Sequence, residues 1–379
     1  MFACDTVPGR NIRSTSIRSL GLVTDALWTD FNNDGWQDLI VTGDWMPILF
    51  FKNQKGNLVQ MEQTGIEWAS GWWKSIAPSD LDNDGDLDYI VGNFGKNTFY
   101  KAQPVMPMTI LAKDFDQNGS VDPFISFYVK DSLKVKRNYL YHPWEDVIKQ
   151  FRALRKSFNS YSAYGQATAS QIFENQNLTN ALVKKNTWME SSWIENLGND
   201  TFKLHALPDE VQWAPVYGIS TFDLNQDGYE DILMVGNDYG VEVNQGRIDA
   251  HQGIVLYNTQ NKAFTAQNLE TTHFIVAGDG KSLVQMNIQK EPYFIASQNN
   301  DSLKVFKPNF EKRPLMISWE TGETNCLIYL GNHTVQKRTK QDSNTFQSQG
   351  TNQFWVSPET KKIEFFDAQQ KRIRTQIIP

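Results

Sequence analysis

Four stretches of this chain repeat one arrangement of oxygen-bearing side chains. They run Asp30-Phe31-Asn32-Asn33-Asp34-Gly35-Trp36-Gln37-Asp38, Asp80-Leu81-Asp82-Asn83-Asp84-Gly85-Asp86-Leu87-Asp88, Asp114-Phe115-Asp116-Gln117-Asn118-Gly119-Ser120-Val121-Asp122 and Asp223-Leu224-Asn225-Gln226-Asp227-Gly228-Tyr229-Glu230-Asp231. We number them loops 1 to 4. Carboxylate or amide oxygens stand at positions 1, 3, 5 and 9, and Gly at position 6 permits the reversal that turns them toward one point. A hard cation such as Ca²⁺ takes about six to eight oxygens, which four side chains and a main-chain carbonyl near position 7 (Trp36, Asp86, Ser120, Tyr229) begin to supply. A single copy would pass for an ordinary Asp/Asn/Gly turn. Four in one register predict about four Ca²⁺ sites. Loop 2, with carboxylates at all four side-chain positions, should bind most tightly.

An EF-hand shares the opening of this pattern but needs Glu at position 12 and flanking helices. Position 12 here is Val41, Val91, Ile125 and Met234. The residues after each loop are short apolar runs such as Leu39-Ile40-Val41 and Ile232-Leu233-Met234-Val235, which read as buried strands. Segments ahead of the loops, such as Ala26–Thr29 and Ser75–Ala77, also read as strands, so the loops join strand to strand. A third element, aromatic or aliphatic residues closing on Asn, recurs at Phe51–Asn53, Trp193–Asn196 and Tyr257–Asn258. One unit is therefore three or four antiparallel strands with a metal loop between the first two. Such a unit cannot cover both faces of its own sheet, so units must stack, and radial stacking gives a β-propeller.

The expected order is an N-terminal extension (1–20), propeller blades with three loops (21–140), a helical insertion (141–187), further blades with the fourth loop (188–310) and a small C-terminal β module (315–379). The insertion is inferred from Val147, Ile148, Phe151 and Leu154 at helical spacing; it is a cap for a partner or a plug on one propeller face. Phe274–Val276, Leu283–Met286, Tyr293–Ala296 and Leu303–Phe306 suggest one more blade without metal.

Net charge is −7, which excludes the basic surface a nucleic-acid partner would need. Thirteen carboxylates at ligand positions account for the acidity, and four Ca²⁺ would offset it. The two cysteines, Cys4 and Cys326, supply no disulfide framework, although one bridge between them is open. No apolar run reaches membrane-spanning length. Calcium loops of this kind suit an extracytoplasmic medium, so the protein is expected to be secreted or on the outer cell surface, with its targeting segment not among these residues.

The loops, Gly92-Asn93-Phe94-Gly95 and the order of elements resemble the FG-GAP/VCBS repeat family, which includes the propeller head of integrin α-subunits. The resemblance is closest to secreted Bacteroidetes-type VCBS-repeat proteins with a C-terminal ASPIC/UnbV-like segment. It is carried by Gly21–Trp28, Gly71-Trp72-Trp73, Asn93–Thr98 and Gly246–Ala250, with Tyr329-Leu330-Gly331 as a degraded match in the tail. It implies an all-β propeller, calcium at the loop residues, and adhesion or ligand binding.

For a ligand surface, the sequence offers Trp68, Trp72 and Trp73, which are either a platform for sugar rings or blade packing. It also offers the polar loop holding Tyr239, Arg247, Asp249 and His251, which is either a site or a structural loop tied by Arg247–Asp249 contacts. No nucleophile elbow, metalloprotease helix or zinc-spaced Cys/His cluster occurs. The expectation is a non-catalytic module binding an extracellular glycan or protein. The alternatives are a calcium-dependent polysaccharide lyase using Arg247, His251 and Tyr239, and a purely structural part of a larger surface protein.

Overall fold

A computed structural model describes residues 17–243, 245–260, 262–331, 335–340 and 352–378. Among the described residues the protein is all-β apart from four short helices and two 3₁₀ turns. The first sheet contains β1 (Leu22–Thr29), β2 (Asp38–Pro47), β3 (Leu49–Gln54) and β4 (Asn57–Gln60) in that order, with β5 (Ser70–Trp72) also on β2. The second begins with β6 (Ser75–Ser79) and β7 (Asp88–Gly92).

The chain then leaves that sheet. β8 (Met108–Lys113), β9 (Asp122–Lys130) and β10 (Lys136–Leu140) lead to α1 (Trp144–Gln150), α2 (Tyr161–Gln166) and α3 (Ala169–Phe173), and β11 (Leu182–Asn186) returns to pair with β8. Only afterwards do β12 (Ser192–Asn196) and β13 (Phe202–Ala206) complete the second sheet, in the order β6-β7-β12-β13. The unit carrying loop 3 is thus inserted between the second and third strands of the unit carrying loop 2. The segment expected to be helical over 141–187 has its helices between Trp144 and Phe173 and ends as a strand. Trp144, Val147, Phe151, Leu154, Ile172 and Phe173 of this segment pack on Phe115 and Phe124 of the inserted sheet.

β14 (Val216–Phe222), β15 (Asp231–Gly236), β16 (Ile254–Asn258) and β17 (Phe264–Ala266) form the next sheet. After α4 (Leu269–Thr272) come β18 (Gly280–Ile288), β19 (Glu291–Gln298) and β20 (Lys304–Phe306). Phe274–Val276, expected to be a strand, is irregular; Phe274 and Val276 are nonetheless buried against Leu233 and Val255. The tail forms β21 (Leu315–Ser318), β22 (Asn325–Leu330), β23 (Val335–Thr339), β24 (Gln353–Val356), β25 (Thr360–Phe366) and β26 (Arg372–Ile377), with β21 on β24 and the others ordered β23-β22-β25-β26.

The first strands of four sheets lie in succession, β1 by β6, β6 by β14 and β14 by β18. Between neighbouring sheets sit separate apolar cores. Leu27, Phe50, Trp73 and Tyr89 fill the first, Ala77, Ile90, Ile219 and Met234 the second, and Leu233, Val255, Leu283 and Phe294 the third. Strands β7 and β15 are buried along their whole length, which is why their sequences are unbroken apolar runs rather than alternating ones. The sheets also touch through backbone: a Cβ on Gly92 of β7 would lie 2.2 Å from the Val216 carbonyl oxygen of β14, so no side chain fits there. Cys326 is a buried free thiol, while Cys4 lies outside the described residues.

Candidate metal centre

Each loop is an eight-residue connection closed by the antiparallel pair at its mouth. Thr29 pairs with Asp38, Ser79 with Asp88, Lys113 with Asp122 and Phe222 with Asp231. Position 9 is thereby the first residue of the following strand in every unit. The backbones match: position 4 is left-handed at Asn33 (φ 58°), Asn83 (60°), Gln117 (59°) and Gln226 (62°), and the position-6 glycines have φ between 83° and 93°. Glycine tolerates that conformation without strain, and the Asn at two of the position-4 sites is the next most tolerant choice.

Position 1 holds the turn and position 9 the neighbouring strand. Asp30 accepts from the N–H groups of Asp34 (3.0 Å) and Gly35 (2.9 Å), and Asp114 accepts likewise from Asn118 and Gly119. Asp38, Asp88 and Asp231 each accept, through Oδ1, the N–H of an Asn on the third strand: Asn53 (2.7 Å), Asn196 (2.9 Å) and Asn258 (2.9 Å). Those Asn side chains tie the units together. Asn196 donates to the Phe31 carbonyl of loop 1 at 2.9 Å, and Asn258 donates to the Leu81 carbonyl of loop 2 at 2.7 Å.

These bonds leave buried carboxylate oxygens without a protein donor: Asp38 Oδ2, Asp80 Oδ1, Asp86 Oδ1 and Asp223 Oδ1. Burial, with carboxylates crowding one another, pushes Asp38 and Asp80 up to about 8, Asp88 to about 9, Asp231 to about 8, and Asp86 and Asp223 to about 7. An orphaned buried oxygen on a clustered acid calls for a proton or a cation. The donor set, all hard oxygen, fits Ca²⁺ or Mg²⁺ rather than a soft metal. One oxygen each from Asp80, Asp82 and Asp88, and from Asp114, Asp116 and Asp122, lie within 4.8 Å of one another. In loops 1 and 4 the third position is an amide, Asn32 and Asn225, so Asp34 and Asp227 stand with it; Asn32 and Asn225 each donate to that Asp (3.0 and 3.1 Å).

The four loops do not share one environment. Loop 3 lies open on the inserted sheet, with Asp116, Asn118 and Ser120 exposed. Loops 1, 2 and 4 converge beneath the C-terminal β module. The Lys337 N–H donates to Asp80 Oδ2 at 2.8 Å and its ammonium binds Asn33. Gln370 reaches Asp30 Oδ2 at 3.2 Å, Gly35 lies beneath the Ala368 carbonyl, and Arg338 pairs with Glu230. The Gly228 carbonyl accepts from both Asn83 (2.9 Å) and Gln336. On the other side of loop 2, Lys262 reaches Asp82 Oδ2 at 2.8 Å and also pairs with Glu195, whose other oxygen meets His205 at 2.7 Å. A cavity of about 120 Å³ between the module and the loops is lined by Ser79, Asp80, Ser220, Glu230 and Lys337.

The suggested ligand surfaces fare differently. Trp73 (0 % exposed) and Trp72 (8 %) are core residues and offer no platform; Trp68, at 44 %, does stand out. Tyr239 and Arg247 stack at the surface, 4.8 Å from guanidinium to ring, and Asp249 is exposed. His251 is fully buried: its Nδ1 faces the Gly253 N–H at 3.3 Å, and burial drives it down to about 4. The residues missed from sequence are Lys262, Lys337, Arg338 and Gln370. No spacing rule points to them, because they reach the loops from other units; the polar run Val335–Thr339 does not read as a strand.

Residues 30–91 match the family model for an FG-GAP-like repeat. The match spans one whole period, from loop 1 through β7 and including loop 2. No curated protein matches the chain.

Proposed function

We propose that this protein is a non-catalytic, calcium-stabilised β-propeller module of VCBS type that binds a glycan or protein ligand outside the cell. The observation that carries the reading is the recurrence of buried, donor-less carboxylate oxygens in loops of one geometry at the junctions between stacked sheets. Ca²⁺ would be held by positions 1, 3, 5 and 9 of each loop, with the position-7 carbonyl, and would supply the charge that lets these acids ionise inside the protein. Its role is architectural, because the position-9 Asp of loops 1, 2 and 4 also anchors a third strand.

Extracellular placement is supported by the match to an FG-GAP-like repeat. Among the described residues no helix is long and apolar enough to cross a membrane. The tail's β sheets occupy the position where the ASPIC/UnbV-like resemblance falls. Burial of His251 removes one of the groups, beside Tyr239 and Arg247, named for the lyase alternative. The test is a thermal melt in EDTA and in about 2 mM Ca²⁺ with metal counting. A site held at a hundred times its dissociation constant adds roughly 2.7 kcal/mol, so a large calcium-specific rise with about four ions bound is expected. An unchanged melt would leave the loops as plain turns.

A further inference from the structure

Lys337 is a strand residue that brings a charged side chain to two metal loops at once. It lies in β23, opposite Leu327 in the register with β22. Its side chain crosses to the loop face, where only 7 % of the residue is exposed. Its ammonium binds Asn33 of loop 1, its main-chain N–H is spent on Asp80 of loop 2, and Asp30, Asp80, Asp84 and Asp86 all act on its charge. An ammonium is this costly to bury unless acids offset it. Its ammonium is hydrogen-bonded to Asn33 and, among the described residues, ion-paired with no loop carboxylate, and the acids whose field acts on it are those assigned to the cation.

We propose that Lys337 is a resident cation of the metal centre: its buried ammonium sits on loop 1 while its main-chain N–H occupies a ligand-residue oxygen of loop 2, so that calcium binding there and seating of the C-terminal module oppose each other. This rests on the calcium reading above. A divalent ion and an ammonium in the field of one set of carboxylates repel each other strongly where water is excluded. The module also occupies ligand-residue oxygens directly, since Asp80 Oδ2 accepts from Lys337 and Asp30 Oδ2 from Gln370. The coupling must be reciprocal: whatever the seated module takes from calcium affinity, calcium takes from the module's seating. Among the described residues loop 3 makes no such contact, and so it carries its own reference within the molecule. Carboxylate count alone ranks loop 2 first; Lys337 and Lys262, both at that loop, draw its affinity down toward that of loop 3.

The experiment is a calcium titration of the full chain and of its Lys337→Met variant, with the loop 3 site assigned by its loss in Asp116→Ala. The variant should bind calcium about tenfold or more tightly at two sites, with loop 3 unchanged. A second measurement needs no variant. In the wild-type chain, saturating calcium should speed hydrogen exchange of the Lys337 amide, which donates to Asp80 and not to the strand ladder, by about tenfold. Unaltered affinities at loops 1 and 2, or slower exchange with calcium, would overturn the proposal while leaving calcium binding intact. No calcium binding at any loop would instead overturn the reading beneath it, and this inference with it.

Discussion

The side-chain amide of Asn258 donates to the main-chain carbonyl of Leu81, 177 residues earlier in the chain, at 2.7 Å. The same amide reaches the Glu230 carbonyl, its Oδ1 accepts from the Gln260 N–H at 3.0 Å, and its own N–H is held by Asp231. One asparagine thus closes its own loop, caps its own hairpin and fastens the loop of the preceding unit. Asn196 does the same for Phe31. Asn258→Ala strands buried carbonyls on two units, and should cost about 2–4 kcal/mol, since each orphaned buried group costs roughly 1–3 kcal/mol. Urea unfolding reads the loss; a change under half a kcal/mol would mean that the junction is held by apolar packing alone.

Loop ligands should separate by location. Asp84→Ala and Asp116→Ala are each expected to lower calcium stoichiometry by one. Asp84 is itself exposed, but its loop is bonded to the loop 4 unit and to the C-terminal module, so its loss should also lower the calcium-bound melting temperature of the whole chain. Asp116 is exposed on the inserted sheet and should lower it little. Unchanged stoichiometry in both would remove the ligand assignment.

The metal-free protein should lose stability as pH rises. Burial lifts Asp38, Asp80 and Asp231 to about 8 from an ordinary 3.8. The folded state therefore keeps protons that the unfolded chain gives up, so the contribution is whole below about pH 4 and is lost as pH climbs through about 8. His251, lowered from 6.5 to about 4 by burial, acts in the opposite sense between those two values and is silent above 7. Melts in EDTA should accordingly fall from pH 7 to pH 9, and calcium should flatten the slope. A metal-free melt that rises over that interval would contradict the burial of these acids.

Two glycines should respond in opposite ways. Gly236→Ala drives a methyl group against the Pro215 carbonyl, 1.9 Å away, and should destabilise by at least about 1–3 kcal/mol. Gly165 sits in α2 with open space where its Cβ would be, and Gly165→Ala should stabilise by about half to one kcal/mol. Equal effects would contradict the close approach of the start of β14 to Gly236 of β15.

Much of the site was legible in the chain because its ligands are local. Asp30 to Asp38 is nine consecutive residues, and the left-handed position 4, the glycine at 6 and the strand starting at 9 all follow from contacts within a single turn. The recurring Asn of the third element was visible too, though not its bond to the preceding unit. What the residues determined by themselves was the all-β units, the loop geometry and the acidic donor set. The tertiary structure alone decided that the loop 3 unit is spliced into the loop 2 unit, that Trp72 and Trp73 face inward, and that β23 lies across three of the four loops. These depend on pairings between residues a hundred or more positions apart, such as Lys337 with Asp80. Such pairings follow from which apolar faces meet, and a polar strand such as Val335–Thr339 carries no periodic mark of the surface that will receive it.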